Sequence, residues 1–113
     1  MVLILQKIIL HSIGGINILQ YKEIKDQSEY NFLFRRKKEL KRINKIKNFS
    51  ESRLFLITMS DDLDGSIQGN AIIGVANGMW GILAMRTIKG YRNNFLQIIE
   101  ENVPWYLSEL NIE

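Results

Sequence analysis

The sequence predicts an α+β domain in which helices cover a mainly antiparallel sheet. Two glycine-containing breaks, Gly14-Gly15 and Asn77-Gly78, each separate two apolar runs. This pattern is typical of β-hairpins, because tight hairpin turns need residues that accept positive φ angles. Two other stretches carry apolar residues at helical spacing. Together these observations predict the order ββ-α-βββ-α(α), with a five-stranded sheet covered by helices.

The first hairpin is expected over residues 2–12 and 16–24, which are rich in isoleucine and leucine. A helix follows over residues 26–48, because Asp26 and Glu29 have the spacing of a capping box and Leu40, Ile43 and Ile46 recur at near-helical intervals. Residues 30–34 are alternatively extended, which leaves the start of this helix open.

Three further strands are expected over residues 53–59, 70–76 and 79–87, with a polar loop over residues 60–69. Gly74 and Gly81 lie inside the last two of these strands and indicate a close backbone approach or a bulge.

A further run of apolar residues at helical spacing begins at Tyr91. Pro104 predicts a break in it, with Asn102 capping a short final helix, because proline inside a helix removes one hydrogen bond.

No linker, repeat or low-complexity segment divides the chain, so residues 1–113 are expected to form a single domain. The predicted element order resembles that of the longin and profilin-like group of small domains. This group includes the small chains of adaptor complexes and the small subunits of vesicle-tethering complexes. The resemblance covers the whole chain and is one of predicted topology.

The composition excludes several chemistries. The chain has no cysteine and one histidine, which excludes disulfides, zinc sites built on thiolates and cysteine nucleophiles. Residues 62–81 are similar to the edge-strand segment of metzincin peptidases, but the helix that follows lacks histidine, so a zinc peptidase is rejected. The glycines match no phosphate-binding or dinucleotide-binding motif. An enzyme is therefore not the expected function, and no cofactor is expected.

The strongest functional signal is a basic segment over residues 35–47. It holds eight basic residues and one acidic residue, a net charge of +7, whereas the remaining 7 basic and 11 acidic residues give −4. We expect a binding face on this helix, which meets an acidic protein surface or the phosphates of a nucleic acid, an anionic membrane or another polyanion. A solvated helix face is the structural alternative. Nearby Phe32, Phe34 and Phe49 are expected to pack rather than stack on bases. The candidate binding residues are Arg35, Arg36, Lys38, Lys41, Arg42 and Lys45.

A weaker signal is the acidic loop. Asp61, Asp62 and Asp64, with Glu51 as a neighbour, carry the oxygen ligands that Mg²⁺ and Ca²⁺ prefer, although the spacing is not that of an EF-hand. The alternative is that these carboxylates are solvated groups that close a turn.

We therefore expect a small interaction or regulatory module that acts through the basic helix face and an open sheet edge. Its partner is another protein or a second copy of the chain. The first alternative is a nucleic-acid-binding protein, and the second is a divalent-metal-dependent enzyme. No segment is long and apolar enough to be an integral membrane helix, and a cytoplasmic location is expected.

Overall fold

A computed structural model describes residues 5–12 and 15–111 of the chain. The elements are β1 (Leu5–Ser12), β2 (Gly15–Ile24), α1 (Lys37–Lys47), β3 (Arg53–Asp61), β4 (Ile67–Ala76), β5 (Met79–Thr87) and α2 (Arg92–Glu109). Strands β2 to β5 form an open antiparallel sheet in sequence order, and β1 pairs with β2. The α+β class, the antiparallel sheet and two helices are thus confirmed.

The sheet lies between the two helices. Successive side chains of a strand point to opposite faces, so β3 places Phe55 and Ile57 on one face and Leu54 on the other. The first face packs against the buried side of α2, and the second face packs against the buried side of α1 and the segment before it. Burial on both faces explains why β4 is almost continuously buried.

The predicted helix over residues 26–48 is wrong over residues 26–36. The capping box of Asp26 and Glu29 exists, but it closes only a 3₁₀ turn at Gln27–Glu29, and α1 begins at Lys37. Tyr30 and Phe34 are fully buried in the core on the α1 side of the sheet. The burial of these two rings favours turns over residues 30–33 in place of helix, and no extended strand forms there.

The loop predicted over residues 60–69 is too long. Strand β3 continues to Asp61 and β4 starts at Ile67, which leaves five residues, 62–66, between the strands. The polar residues at the start of β4 are buried rather than solvated. Asn70 shows why, because its Oδ1 accepts a hydrogen bond of 2.9 Å from the Thr58 hydroxyl on the neighbouring strand.

The hairpin at Asn77-Gly78 is confirmed. Both residues have positive φ, 54° and 73°, and they connect the paired residues Ala76 and Met79. The turn of the first hairpin, by contrast, includes residues 13 and 14, which lie outside the described residues.

The prediction for glycines inside the strands holds at Gly74, where a Cβ atom would come within 2.9 Å of Leu83 and 3.0 Å of Ile46, since α1 packs closely at this point. It is wrong at Gly81, where nothing lies within 4 Å. The irregularity in the β4–β5 pairing occurs instead between Ile72 and Ile73.

The break predicted at Pro104 is also wrong, because α2 is one helix from Arg92 to Glu109. Asn102 does not cap a second helix; its side-chain amide donates a 2.8 Å hydrogen bond to the Ile98 carbonyl. Pro104 itself is exposed, as is Trp105, whereas the nearby Val103 and Tyr106 are buried in the core on the α2 side of the sheet. Packing of these neighbours therefore outweighs the cost of the proline. Within residues 5–12 and 15–111, no helix is long and apolar enough to cross a membrane.

Candidate interaction surfaces

The basic segment places four lysines on the solvent side of α1. Lys37, Lys41 and Lys45 occur at every fourth position and therefore follow one line along the helix, with Lys38 beside it. We call these four residues the lysine row. All four are exposed, and the core side of the same helix carries the buried Glu39 and Ile43. Within residues 17–111, none of the four lysines forms an ion pair.

A groove of about 560 Å³ runs beside this row. Its apolar part is Leu40, a partly buried residue that also packs against the core on the α1 side. Its rim is formed by lysine and asparagine side chains. The residues lining this α1 groove are Lys37, Leu40, Lys41, Asn44, Lys45 and Asn48.

The six residues predicted as one binding face divide between different surfaces. Lys38, Lys41 and Lys45 belong to the lysine row. Arg42 points towards the sheet, where its Nε donates a 2.8 Å hydrogen bond to the Leu83 carbonyl. Arg35 and Arg36 precede the helix, and Arg36 occupies the N-cap position. Each helical residue advances by about 100°, so a continuous basic run cannot remain on one side.

A second basic surface forms where four arginines come together. Arg36 and Arg42 line a groove of about 380 Å³ with Arg86 of β5 and Arg92 at the start of α2. The buried Glu39 also lines it, so these five side chains carry a net charge of +3. We call this the arginine groove. It lies along the β5 side of the sheet, between the two helices.

Glu39 holds Arg86 in place. Arg86 Nη2 donates a 2.6 Å hydrogen bond to Glu39 Oε1, and its Nη1 donates to Oε2, so the pair is bidentate. The Arg86 guanidinium also lies 5.3 Å from the centroid of the Phe34 ring. Burial by itself raises the pKa of Glu39, but the hydrogen bonds and charge of Arg86, with Arg36, outweigh burial and hold the pKa below its ordinary value.

Arg86 and Arg92 are absent from the binding face predicted from the sequence, because they lie far from the basic run and follow no spacing that links them to it. The register of β5 and the start of α2 bring them next to α1. No signal within the sequence itself marks either residue, since their proximity to Arg36 depends on α1 packing against β4 and β5.

The expectation of an open sheet edge is modified by two of these arginines. Strand β5 is the last in the sheet order. Arg42 donates to the Leu83 carbonyl, and Arg86 Nη1 donates to the Met85 carbonyl at 3.2 Å. Arginine side chains thus occupy backbone acceptors that an added strand would use, a known way of protecting a sheet edge.

The acidic loop is organised as a turn. Asp61 accepts a 2.7 Å hydrogen bond from the Leu63 backbone, and Asp64 accepts one of 2.8 Å from Ser66. The bond from Ser66 lowers the pKa of Asp64. Glu51 lies two residues before the nine-residue strand β3 and Asp61 is its last residue, so the length of this strand, about 27 Å, separates Glu51 from the acidic loop. Across residues 17–111, no three His, Asp or Glu side chains are placed to share a metal ion.

The phenylalanines near α1 differ in their environment. Phe34 is fully buried, as expected, but Phe32 is 66% exposed and Phe49 is 43% exposed. The expectation that all three pack is therefore wrong for two of them. Phe32 precedes α1 and Phe49 follows it, so an exposed ring lies near each end of the helix.

No family model, curated protein or solved structure matches this chain. A functional assignment therefore depends on the two basic grooves and on the residues that line them. Both have the residue types of a binding surface, namely cations arranged around a cavity.

Proposed function

We propose that this chain is a non-enzymatic interaction module that binds an acidic, partly apolar segment of a partner protein in the α1 groove. The observation that carries the proposal is the lysine row around Leu40. A protein interface commonly combines an apolar centre with a polar rim, and the α1 groove has both.

Charge determines which partner fits. The lysines on the rim have no acidic neighbours within ion-pair distance among residues 17–111, so a carboxylate-rich segment would supply the missing counter-charges. Such charges mainly accelerate association and discriminate between partners, while the apolar contact limits dissociation. An acidic segment with one apolar side chain facing Leu40 would use both parts of the groove.

The element order adds support of another kind. If β1 is counted as a fifth strand, the element order resembles that of the longin and profilin-like domains, which include subunits of protein assemblies. We propose this five-stranded topology together with the function. A second copy of the chain is an alternative protein partner, since the residues outside 35–47 carry a net charge of −4.

A specific observation also favours a second candidate, binding of single-stranded nucleic acid. Phe32 and Phe49 are exposed near the two ends of α1, whose 11 residues span about 17 Å. Basic surfaces with exposed aromatic rings bind single strands, because the rings stack on bases.

Charge reversal tests the proposed function. The double variant Lys41→Glu/Lys45→Glu changes the rim of the α1 groove, and Lys47→Glu/Lys89→Glu makes the same change in net charge at exposed residues outside it. We expect the first variant to lose binding of a glutamate-rich peptide containing one leucine, measured by fluorescence anisotropy at low salt. The control should retain most of it.

The same assay with a thymidine oligonucleotide separates the two candidates. If the oligonucleotide binds more tightly than the peptide and Phe32→Ala weakens it, nucleic-acid binding replaces the proposed function. Equal losses in both double variants would show that net charge alone drives binding, and the α1 groove would have no specific role.

A further inference from the structure

We propose that the arginine groove is a binding site for a phosphate monoester. This inference uses other side chains than the α1 groove and does not depend on the proposed function. The groove draws its charged residues from four places: Arg36 at the N-cap of α1, Glu39 and Arg42 within α1, Arg86 in β5 and Arg92 in the first turn of α2.

Three of the four guanidinium groups form no pair with a carboxylate within residues 17–111. Arg86 is bound to Glu39, but Arg36 and Arg92 form no side-chain hydrogen bond or ion pair within residues 17–111. Arg42 uses only its Nε, in the bond to the Leu83 carbonyl, so its two Nη groups are without a partner in that part of the chain. Guanidinium groups bind phosphate oxygens with two parallel hydrogen bonds, which makes such donors suited to this ligand.

The charge of the groove favours a dianion. The net charge of +3 within about 380 Å³ is too concentrated to be matched by a single carboxylate. A phosphate monoester carries close to two negative charges at neutral pH and presents three terminal oxygens, whereas a diester carries one charge. Glu39 is paired with Arg86, so the uncompensated positive charge of the groove belongs to Arg36, Arg42 and Arg92.

Each arginine has a distinct role at this site. Arg36 and Arg92 are exposed, so both are free to move onto an anion. Arg42 is held by the β5 backbone. Arg86 is positioned by Glu39 and by the Phe34 ring, and it is the least exposed of the four arginines.

Phosphoserine is the probe, measured by isothermal calorimetry. The variant Arg36→Gln/Arg92→Gln removes the two exposed guanidinium groups, and Lys41→Gln/Lys45→Gln removes the same charge from the α1 groove. We expect saturable binding by the unmodified chain, weakened about tenfold or more in the arginine variant, as expected for the loss of charge-assisted hydrogen bonds. The lysine variant should bind within about twofold of the unmodified chain, since Lys41 and Lys45 line the α1 groove and not the arginine groove, and salt screens the remaining influence of exposed charges.

A second variant, Glu39→Gln, tests the proposal through a gain in phosphoserine binding instead of a loss. The substitution removes the negative charge and weakens the hold on Arg86, so phosphoserine should bind more tightly. A misfolded variant would not show such a gain.

Two further probes test the ligand: a phosphoserine peptide identifies the source of the phosphate, and dimethyl phosphate tests whether two negative charges are needed. Tighter binding of an acidic phosphoserine peptide than of free phosphoserine would identify a phosphorylated partner, and equal binding would identify a small phosphorylated molecule; both results support the site. Dimethyl phosphate should bind much more weakly, because it carries one charge. The proposal is overturned if phosphoserine gives no saturable heat, if dimethyl phosphate binds equally well, or if the arginine and lysine variants lose binding equally.

Discussion

Glu39→Gln also tests how the fold is held together at the groove. Glutamine has almost the same shape as glutamate, so the substitution removes the charge and leaves the packing of α1 largely unchanged. In the structure, this carboxylate is buried and receives two hydrogen bonds from Arg86. The variant leaves one amide oxygen as an acceptor and opposes the second Arg86 donor with an amide N–H.

The expected loss of stability follows from the geometry. A hydrogen bond to a charged group contributes about 1.5–3 kcal/mol, but the Arg86 side chain is 35% exposed, so water compensates for part of the loss. We expect the free energy of unfolding to fall by about 1–2 kcal/mol at neutral pH.

The pH dependence provides an independent check. The pKa of Glu39 lies below its ordinary value of 4.5 in the folded chain, so the carboxylate stabilises the fold above that value. This contribution is lost as the pH falls through the lower folded-state pKa. The difference between the unmodified chain and the variant should therefore shrink as the pH falls below 4.5.

Urea unfolding at neutral pH and in acid below pH 4.5 measures the difference in stability between the unmodified chain and the variant. Glu100→Gln is the matched control, because Glu100 is exposed on α2 and forms no hydrogen bond or ion pair through its side chain among residues 17–111. The reasoning is refuted if Glu39→Gln leaves stability unchanged at neutral pH. It is also refuted if the loss is equally large in acid, since the pair would then contribute through shape rather than charge.

Three other substitutions test the packing, each by thermal or urea unfolding. Gly69→Ala should destabilise by about 2 kcal/mol, because its Cβ would lie 2.8 Å from the buried Phe95 ring; no loss would mean that α2 is not seated closely on the sheet. Gly78→Ala should cost about 1 kcal/mol at φ 73°, whereas Gly81→Ala, with open space around it, should be nearly neutral; equal effects would contradict the turn geometry. Pro104→Ala should stabilise by about 1 kcal/mol, because it restores the missing helix donor; a loss would contradict a continuous α2.

The parts of the fold that depend on local chemistry were predictable from the sequence. Asn77-Gly78 is an example, because the need for positive φ is a property of the turn itself. The start of α1 was not predictable, since the capping box of Asp26 and Glu29 is real but closes a shorter element. Burial of Tyr30 and Phe34, a tertiary effect, decides where the helix begins.

The candidate surfaces divide in the same way. The sequence showed that residues 35–47 concentrate positive charge, and the structure places Lys41 and Lys45 together on α1. It could not show that Arg42 turns to the β5 backbone or that Arg86 and Arg92 join Arg36 around Glu39. That arrangement requires the strand register and the positions of both helices.

The measurement that most directly tests the central claim is NMR mapping of the acidic peptide on the chain. A titration followed by amide and methyl chemical shifts should perturb the α1 groove, above all the Leu40 methyl groups and the Asn44 and Asn48 side-chain amides. We predict that these signals shift together with one saturation curve, while the exposed Trp105 on α2 is unaffected. Shifts spread over the surface, or centred on another element, would contradict binding in the α1 groove.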